Sequence, residues 1–140
     1  MKIVNVMGTN LYVNRLLPVH GFVAMQFFGF ILVRKEYEYT LTNNKYRKII
    51  CKTINHENIH TEQIKDFGII FKFFPALQIL FGGLVFYLIY VLEWLIHLLI
   101  NKPKEAYRNI SFEKEAHDHE EDFNYVENRK HFQQWRKDNI

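Results

Sequence analysis

The chain has a single cysteine, Cys51. No intramolecular disulfide can form and a zinc–thiolate cluster is excluded, so any metal must be held by histidine and carboxylate. An excess of one charge is also lacking. Eighteen basic residues against 15 acidic leave a net charge of +3, and no run of Lys and Arg makes a basic stripe. Nucleic acid is therefore not an expected partner. A secretory h-region is missing as well. In MKIVNVMGTNLYVNRLL the apolar residues are interrupted by Asn5, Gly8, Asn10, Asn14 and Arg15, so no cleavable signal peptide is expected. There is no internal repeat and no low-complexity linker.

What is present is a segregated chain of 140 residues, 49% hydrophobic and 16% aromatic. That is the size of one domain, residues 1–140, with a modest core. Residues 1–40 read as a β-rich segment. Ile3–Met7 and Leu11–Leu17 suit short strands with a turn at Gly8-Thr9-Asn10, and Gly21–Val33 suits a buried strand bent at Gly29. The polar stretch RKEYEYTLTNN reads as a strand end and loop. Asn43-Asn44 is a helix start. Helical spacing of apolar residues then runs over 45–74, with a gap at residues 56–60, and Pro75 marks the stop. Residues 76–101 are apolar on every side, and Phe73 to Leu92 carries no charge. That length suits either a membrane-contacting helix or a wholly buried one, and so small a chain has little protein with which to bury it. Residues 104–135 read as a third, strongly charged amphipathic helix. The expected fold is α+β: N-terminal strands or a hairpin, then three antiparallel helices with the middle one strongly hydrophobic.

The gap in the helical pattern is INHENIHTEQ, which contains an HExxH. From composition this pattern is expected by chance about 0.03 times in such a chain, so it is informative without being proof. Histidines at i and i+4 share a helix face, so His56 and His60 can ligate one Zn²⁺. Glu57, offset between them, suits a general base toward the attacking water. Gln63 follows on the same face. Zinc in a catalytic site needs a third protein ligand. On a helical wheel for residues 104–135, Ala106, Ile110, Ala116 and Phe123 mark the inward side. Glu113, His117 and Glu120 lie on or beside that side, while Glu115 and Asp118 point away. A carboxylate in an apolar face is costly unless paired or metal-bound, which singles out Glu113. The plain alternative is a pair between Glu113 and a cation such as Arg108.

An HExxH on one helix with ExxA on a later one resembles the gluzincin metallopeptidases. The likeness is to the membrane zinc endopeptidases of the prenyl-protein and heat-shock protease type, and to their reduced minigluzincin relatives. The chain is also similar to small bacterial proteins with HExIHxxQ, an aromatic-rich apolar segment and AYRNISFExEA. Here these read HENIHTEQ, YLIYVLEWLIHLL and AYRNISFEKEAH, within Gly21 to Glu120. The resemblance implies a zinc-dependent peptidase acting on a peptide or protein substrate. Its ligands would be His56, His60 and Glu113, with Glu57 as base; on the peptidase reading Gln63, His117 and Glu120 stand around these ligands in support. It also implies that part of Phe22–Val33 is an edge strand that pairs with extended substrate. One departure stands out. Four residues after the ligand Glu this family places an Asp that orients a ligand histidine, and here that residue is His117. Either His117 supports a ligand ring, or it takes the metal itself.

Path lengths allow the site to close. At about 1.5 Å per residue, His60 to Phe74 rises roughly 21 Å, Ala76 to Asn101 descends roughly 38 Å, and Lys104 to Glu113 climbs back roughly 14 Å. That path favours a monotopic or re-entrant, membrane-associated protein in contact with lipid over a single crossing. A second reading is a non-catalytic membrane or interaction protein with a structural or vestigial metal site. A third is a structural membrane protein with a fortuitous HExxH. Smaller expectations attach to other residues. Glu93 and His97 pair with each other or face neighbouring helices. Tyr87, Tyr90 and Trp94 suit an interfacial belt or a core, and Gly82-Gly83 suits close helix packing or a kink. His117-Asp118-His119 reads as a solvated face, and Cys51 is buried and inert.

Overall fold

A computed structural model describes residues 1–137 as an α+β fold, with a four-stranded sheet at the N-terminus followed by helices. The strands are β1 (Lys2–Val6), β2 (Thr9–Asn14), β3 (Ala24–Phe27) and β4 (Phe30–Arg34), in the order β1-β2-β4-β3. β1 pairs antiparallel with β2, β2 parallel with β4, and β4 antiparallel with β3. The first turn is Met7-Gly8, one residue earlier than expected. The apolar block Gly21–Val33 is a hairpin and not one bent strand. Phe28 and Gly29 both have positive φ (44° and 86°), the two-residue turn whose twist matches flanking strands. Side chains alternate across the sheet, so Leu11, Ala24, Ile31 and Val33 face inward onto Ile50 and Ile54 of the next long helix.

Of RKEYEYTLTNN only Arg34 belongs to a strand, as the end of β4, and the rest is not a plain loop. It forms a 3₁₀ turn and a short helix, α1 (Glu38–Thr42). Asn43 accepts the Lys45 N–H at 2.9 Å and so caps the turn that leads into α2 (Arg47–Phe67). α2 ends at Gly68 and not at Phe74, and a 3₁₀ turn, Ile69–Phe71, reverses the chain. Pro75 opens the next helix, α3 (Pro75–Leu98), where its missing N–H costs nothing. α3 runs back along α2 in backbone contact. A Cβ on Gly82 would stand 2.0 Å from the Ile64 carbonyl oxygen, so the glycine permits a close approach and not a kink. Further along, the Phe86 ring meets that of His60, with centroids 5.9 Å apart.

The expected third helix is broken. α4 (Pro103–Asn109) ends at Ile110, whose ψ of 129° is extended; α5 (Ser111–His119) and α6 (Tyr125–Asn128) follow, then a 3₁₀ turn, Gln133–Trp135. The break buries Ile110 and Phe112 completely, in a second core with Ile64 and Phe86. Each such side chain contributes about 1.5–3 kcal/mol by leaving water. Phe123, expected inward, is 49% exposed because the helix that would have turned it inward stops before it.

α3 is long and apolar enough to cross a membrane, with a mean hydropathy of 2.1 in a window only 17% buried. Leu77, Leu80, Leu84, Leu88, Val91 and Leu95 are exposed at helical spacing along it.

Candidate functional site

α2 holds its HExxH against the inner face of the sheet and the other helices, so both the apolar and the polar residues of this stretch are buried. That is why the apolar period lapses there. The Nε2 atoms of His56 and His60 are 3.1 Å apart. Glu113, in the first turn of α5, places Oε2 3.3 Å from His56 Nε2 and Oε1 3.3 Å from His60 Nε2.

α5 is fixed at both ends by other helices. At its start the Glu93 carboxylate accepts the Ser111 N–H at 2.7 Å and the Ser111 hydroxyl at 2.8 Å. Glu93 thus caps α5 from α3, and does not pair with His97. At its end the Asn55 amide donates toward the carbonyls of His119, Glu120 and Asp122 at 3.0–3.3 Å. Between these ends α5 presents Glu113 and His117 to α2, and Glu120 follows directly after its last residue.

The outer nitrogens of the two HExxH rings are already committed. His56 Nδ1 lies 2.8 Å from Glu120 Oε2, and His60 Nδ1 lies 2.7 Å from Gln63 Oε1. The Gln63 amide can face only one way. Its NH₂ donates to the Phe112 carbonyl at 3.1 Å and to Glu115 Oε2 at 2.8 Å, both pure acceptors, so its oxygen must face His60. Each neutral ring therefore carries its proton on Nδ1 and turns an Nε2 lone pair inward. Two lone pairs 3.1 Å apart, beside a carboxylate, repel unless a cation lies among them. Glu113 Oε1 accepts the Tyr90 hydroxyl at 2.8 Å, whereas buried Glu113 Oε2 has no hydrogen-bond partner. Its 3.3 Å approach to His56 is an ion-pair contact without hydrogen-bond geometry.

These residues fit a metal. Two ligands at zinc distances of about 2.0–2.1 Å in a tetrahedron stand about 3.3–3.4 Å from each other. The inward atoms of His56, His60 and Glu113 are at 3.1–3.3 Å. With no metal, a proton takes the cation's place. Burial opposes charge on His60, but Glu113 and Glu57 outweigh it and the ring is pushed up to about 9. Burial likewise opposes charge on Glu113, yet the two histidines hold its carboxyl well below the usual range.

Glu57 stands beside the three donors. Its Oε2 accepts the backbone N–H of Gln26 at 2.6 Å. Burial raises its carboxyl above the ordinary value, against the pull of His60 and His56. β3 is an edge strand, and Gln26 turns its backbone away from β4: its N–H meets Glu57 and its carbonyl accepts the Tyr87 hydroxyl at 2.8 Å. The donors form one wall of a cavity of ≈ 380 Å³, otherwise lined chiefly by apolar and aromatic side chains such as Val19, Phe22, Phe86, Tyr87 and Val91.

All seven residues singled out from the sequence meet here. His117 is arranged differently from the family's Asp. Its ring packs on that of His56 at 4.7 Å between centroids, and its Nε2 lies 3.8 Å from Glu113 Oε2. The carboxylate on His56 Nδ1 comes from Glu120, which also meets His117 Nδ1 at 3.3 Å and Lys52 at 3.0 Å. Burial works against the Glu120 charge, but Lys52 and His56 hold its carboxyl below the ordinary value. His56, Glu113 and His117 offer ligand atoms within 4.8 Å of one another.

Glu115 does not point away. It is buried, and Arg129 binds it through Nε at 2.5 Å and reaches Asp66 through Nη1 at 2.7 Å. Arg129, Asp66, Asn55 and Gln26 had no signal in the sequence, since each matters through a partner far along the chain. Tyr90 carried only its place in an aromatic belt.

No family model, curated protein or solved structure matches this chain.

Proposed function

We infer that the chain is a zinc-dependent peptidase working at a membrane surface. The observation that carries this reading is the convergence of His56 Nε2, His60 Nε2 and the unpartnered Glu113 Oε2, with both outer ring nitrogens already bound. His56, His60 and Glu113 would hold the ion. Zinc, when bound, supplies a Lewis acid that polarises a scissile carbonyl and acidifies water. Glu57 takes the proton of the attacking water and passes it to the leaving amine, a role helped by a carboxyl whose burial raises its basicity. Gln63 and Glu120 fix the ring tautomers of His60 and His56. An extended peptide runs past the edge of β3, where the Gln26 backbone is already held by Glu57 and Tyr87, and the apolar cavity receives one of its side chains.

The membrane reading rests on α3. Phe86, beside His60, is at the middle of this helix, so an upright α3 would carry the charged donors to mid-bilayer. A helix lying in the interface buries its Leu77–Leu95 stripe in lipid and leaves the site near water. This is a monotopic arrangement.

The test is Glu57→Gln. Peptide hydrolysis by the zinc-loaded chain is expected to fall about 10²–10⁴-fold while zinc content and helicity stay the same. Undiminished hydrolysis by the variant would remove Glu57 from its role and the peptidase reading with it.

A further inference from the structure

Beside the apolar cavity a second groove, of ≈ 700 Å³, opens between α3 and α4. Its walls are the rings of Phe22, Tyr90, Trp94 and Tyr107. Phe22, Tyr90 and Tyr107 also line the first cavity, so the two are adjoining halves of one cleft. His117 also lines the groove, and its Nε2 is 3.8 Å from Glu113 Oε2. The groove therefore adjoins the same donors.

Its charge differs from that of the first half. The apolar cavity has no cationic lining besides the histidines of the site. The groove is lined by Lys104 and Arg108, one helical turn apart on α4, and by no carboxylate. Neither cation has a hydrogen bond or ion pair among the described residues, so both heads are available to an incoming anion. Both cations are exposed, and four aromatic faces line the groove beside them. The guanidinium fork of Arg108 suits a carboxylate in two-point contact, with Lys104 as a point charge beside it.

Resting on the peptidase reading above, we propose that this groove binds a carboxylate of the peptide substrate. Lys104 and Arg108 hold that carboxylate while the adjoining apolar cavity takes a neutral side chain. The substrates are thus apolar peptides bearing a negative charge a short way from the bond that lies at Glu113. An anionic lipid headgroup has the charge but not the position, because it would fill the approach to the donors.

The experiment measures binding, so that it stands apart from catalysis. Zinc-loaded Glu57→Gln chain in uncharged detergent is titrated into three N-terminally labelled apolar peptides, read by fluorescence anisotropy. One has a free C-terminus, one a C-terminal amide, and one the amide with a single internal Glu. At least one carboxylate-bearing peptide is expected to bind about tenfold more tightly than the neutral amide. Lys104→Gln with Arg108→Gln is expected to erase that difference with zinc content unchanged. Which acidic peptide gains identifies the source, a chain terminus or a side chain. Equal binding of all three peptides, no binding of any, or a preference that survives the double substitution overturns the proposal. So does loss of binding to phosphatidylglycerol vesicles with the peptide preference intact, which would assign the groove to lipid. Charge-selective binding without hydrolysis by the unmutated chain would retain the groove and reject the peptidase reading instead.

Discussion

Gln63 presents its amide oxygen to His60 Nδ1 at 2.7 Å because its NH₂ is held by the Phe112 carbonyl and by Glu115. One side chain thus joins the HExxH helix α2 to α5, the helix that carries Glu113, and dictates which His60 nitrogen faces the site. Gln63→Ala is expected to weaken zinc binding about 10–100-fold, as losses of such outer partners do. Chelator competition at fixed pH measures it, with circular dichroism to show that the helices remain. An unchanged affinity would mean that His60 keeps its orientation without Gln63.

Removal of the metal should make stability depend on pH in a set direction. In the metal-free chain His60 titrates at about 9, above its ordinary 6.5. Folding then favours the protonated ring. This contribution is complete below about 6.5 and is lost as pH rises through about 9. The chelated protein is expected to melt at a lower temperature at pH 9.5 than at pH 7. The zinc-loaded protein is expected to change less over that range, because the ion occupies the proton's place. Parallel thermal melts with and without zinc measure both.

The exposed stripe of α3 gives a third expectation. Leu84 and Leu88 are 59% and 62% exposed and one turn apart. Replacing both with Glu removes apolar area from the proposed lipid face and adds charge, with little effect on the protein core. Flotation with neutral vesicles is expected to fall severalfold, while the melting temperature in detergent is nearly unchanged. Equal flotation of the variant would place the membrane contact elsewhere.

The HExxH was legible because its spacing alone puts two rings on one face. Glu113 was legible because a carboxylate among Ala106, Ile110 and Ala116 needs a partner. The break before α5 was not, because the group that starts this helix is Glu93, 18 positions earlier and on α3. One continuous wheel therefore turned Glu115 outward, although Arg129, 14 positions later, holds it inside. The family's Asp position, occupied by His117, also misled in part. The carboxylate that orients His56 is Glu120, three residues further on, just past the end of α5. The Phe28-Gly29 turn was only half visible, since Phe rarely takes positive φ and only the glycine marked it.

The central claim is that α2 and α5 meet around one metal ion. Elemental analysis of the chain purified after zinc supplementation, beside His56→Ala and Glu113→Ala, tests it most directly. About one zinc per folded chain is expected, lost in both variants while far-ultraviolet circular dichroism stays helical. Absence of zinc from the unmutated chain, or its retention when either residue is replaced, would contradict it.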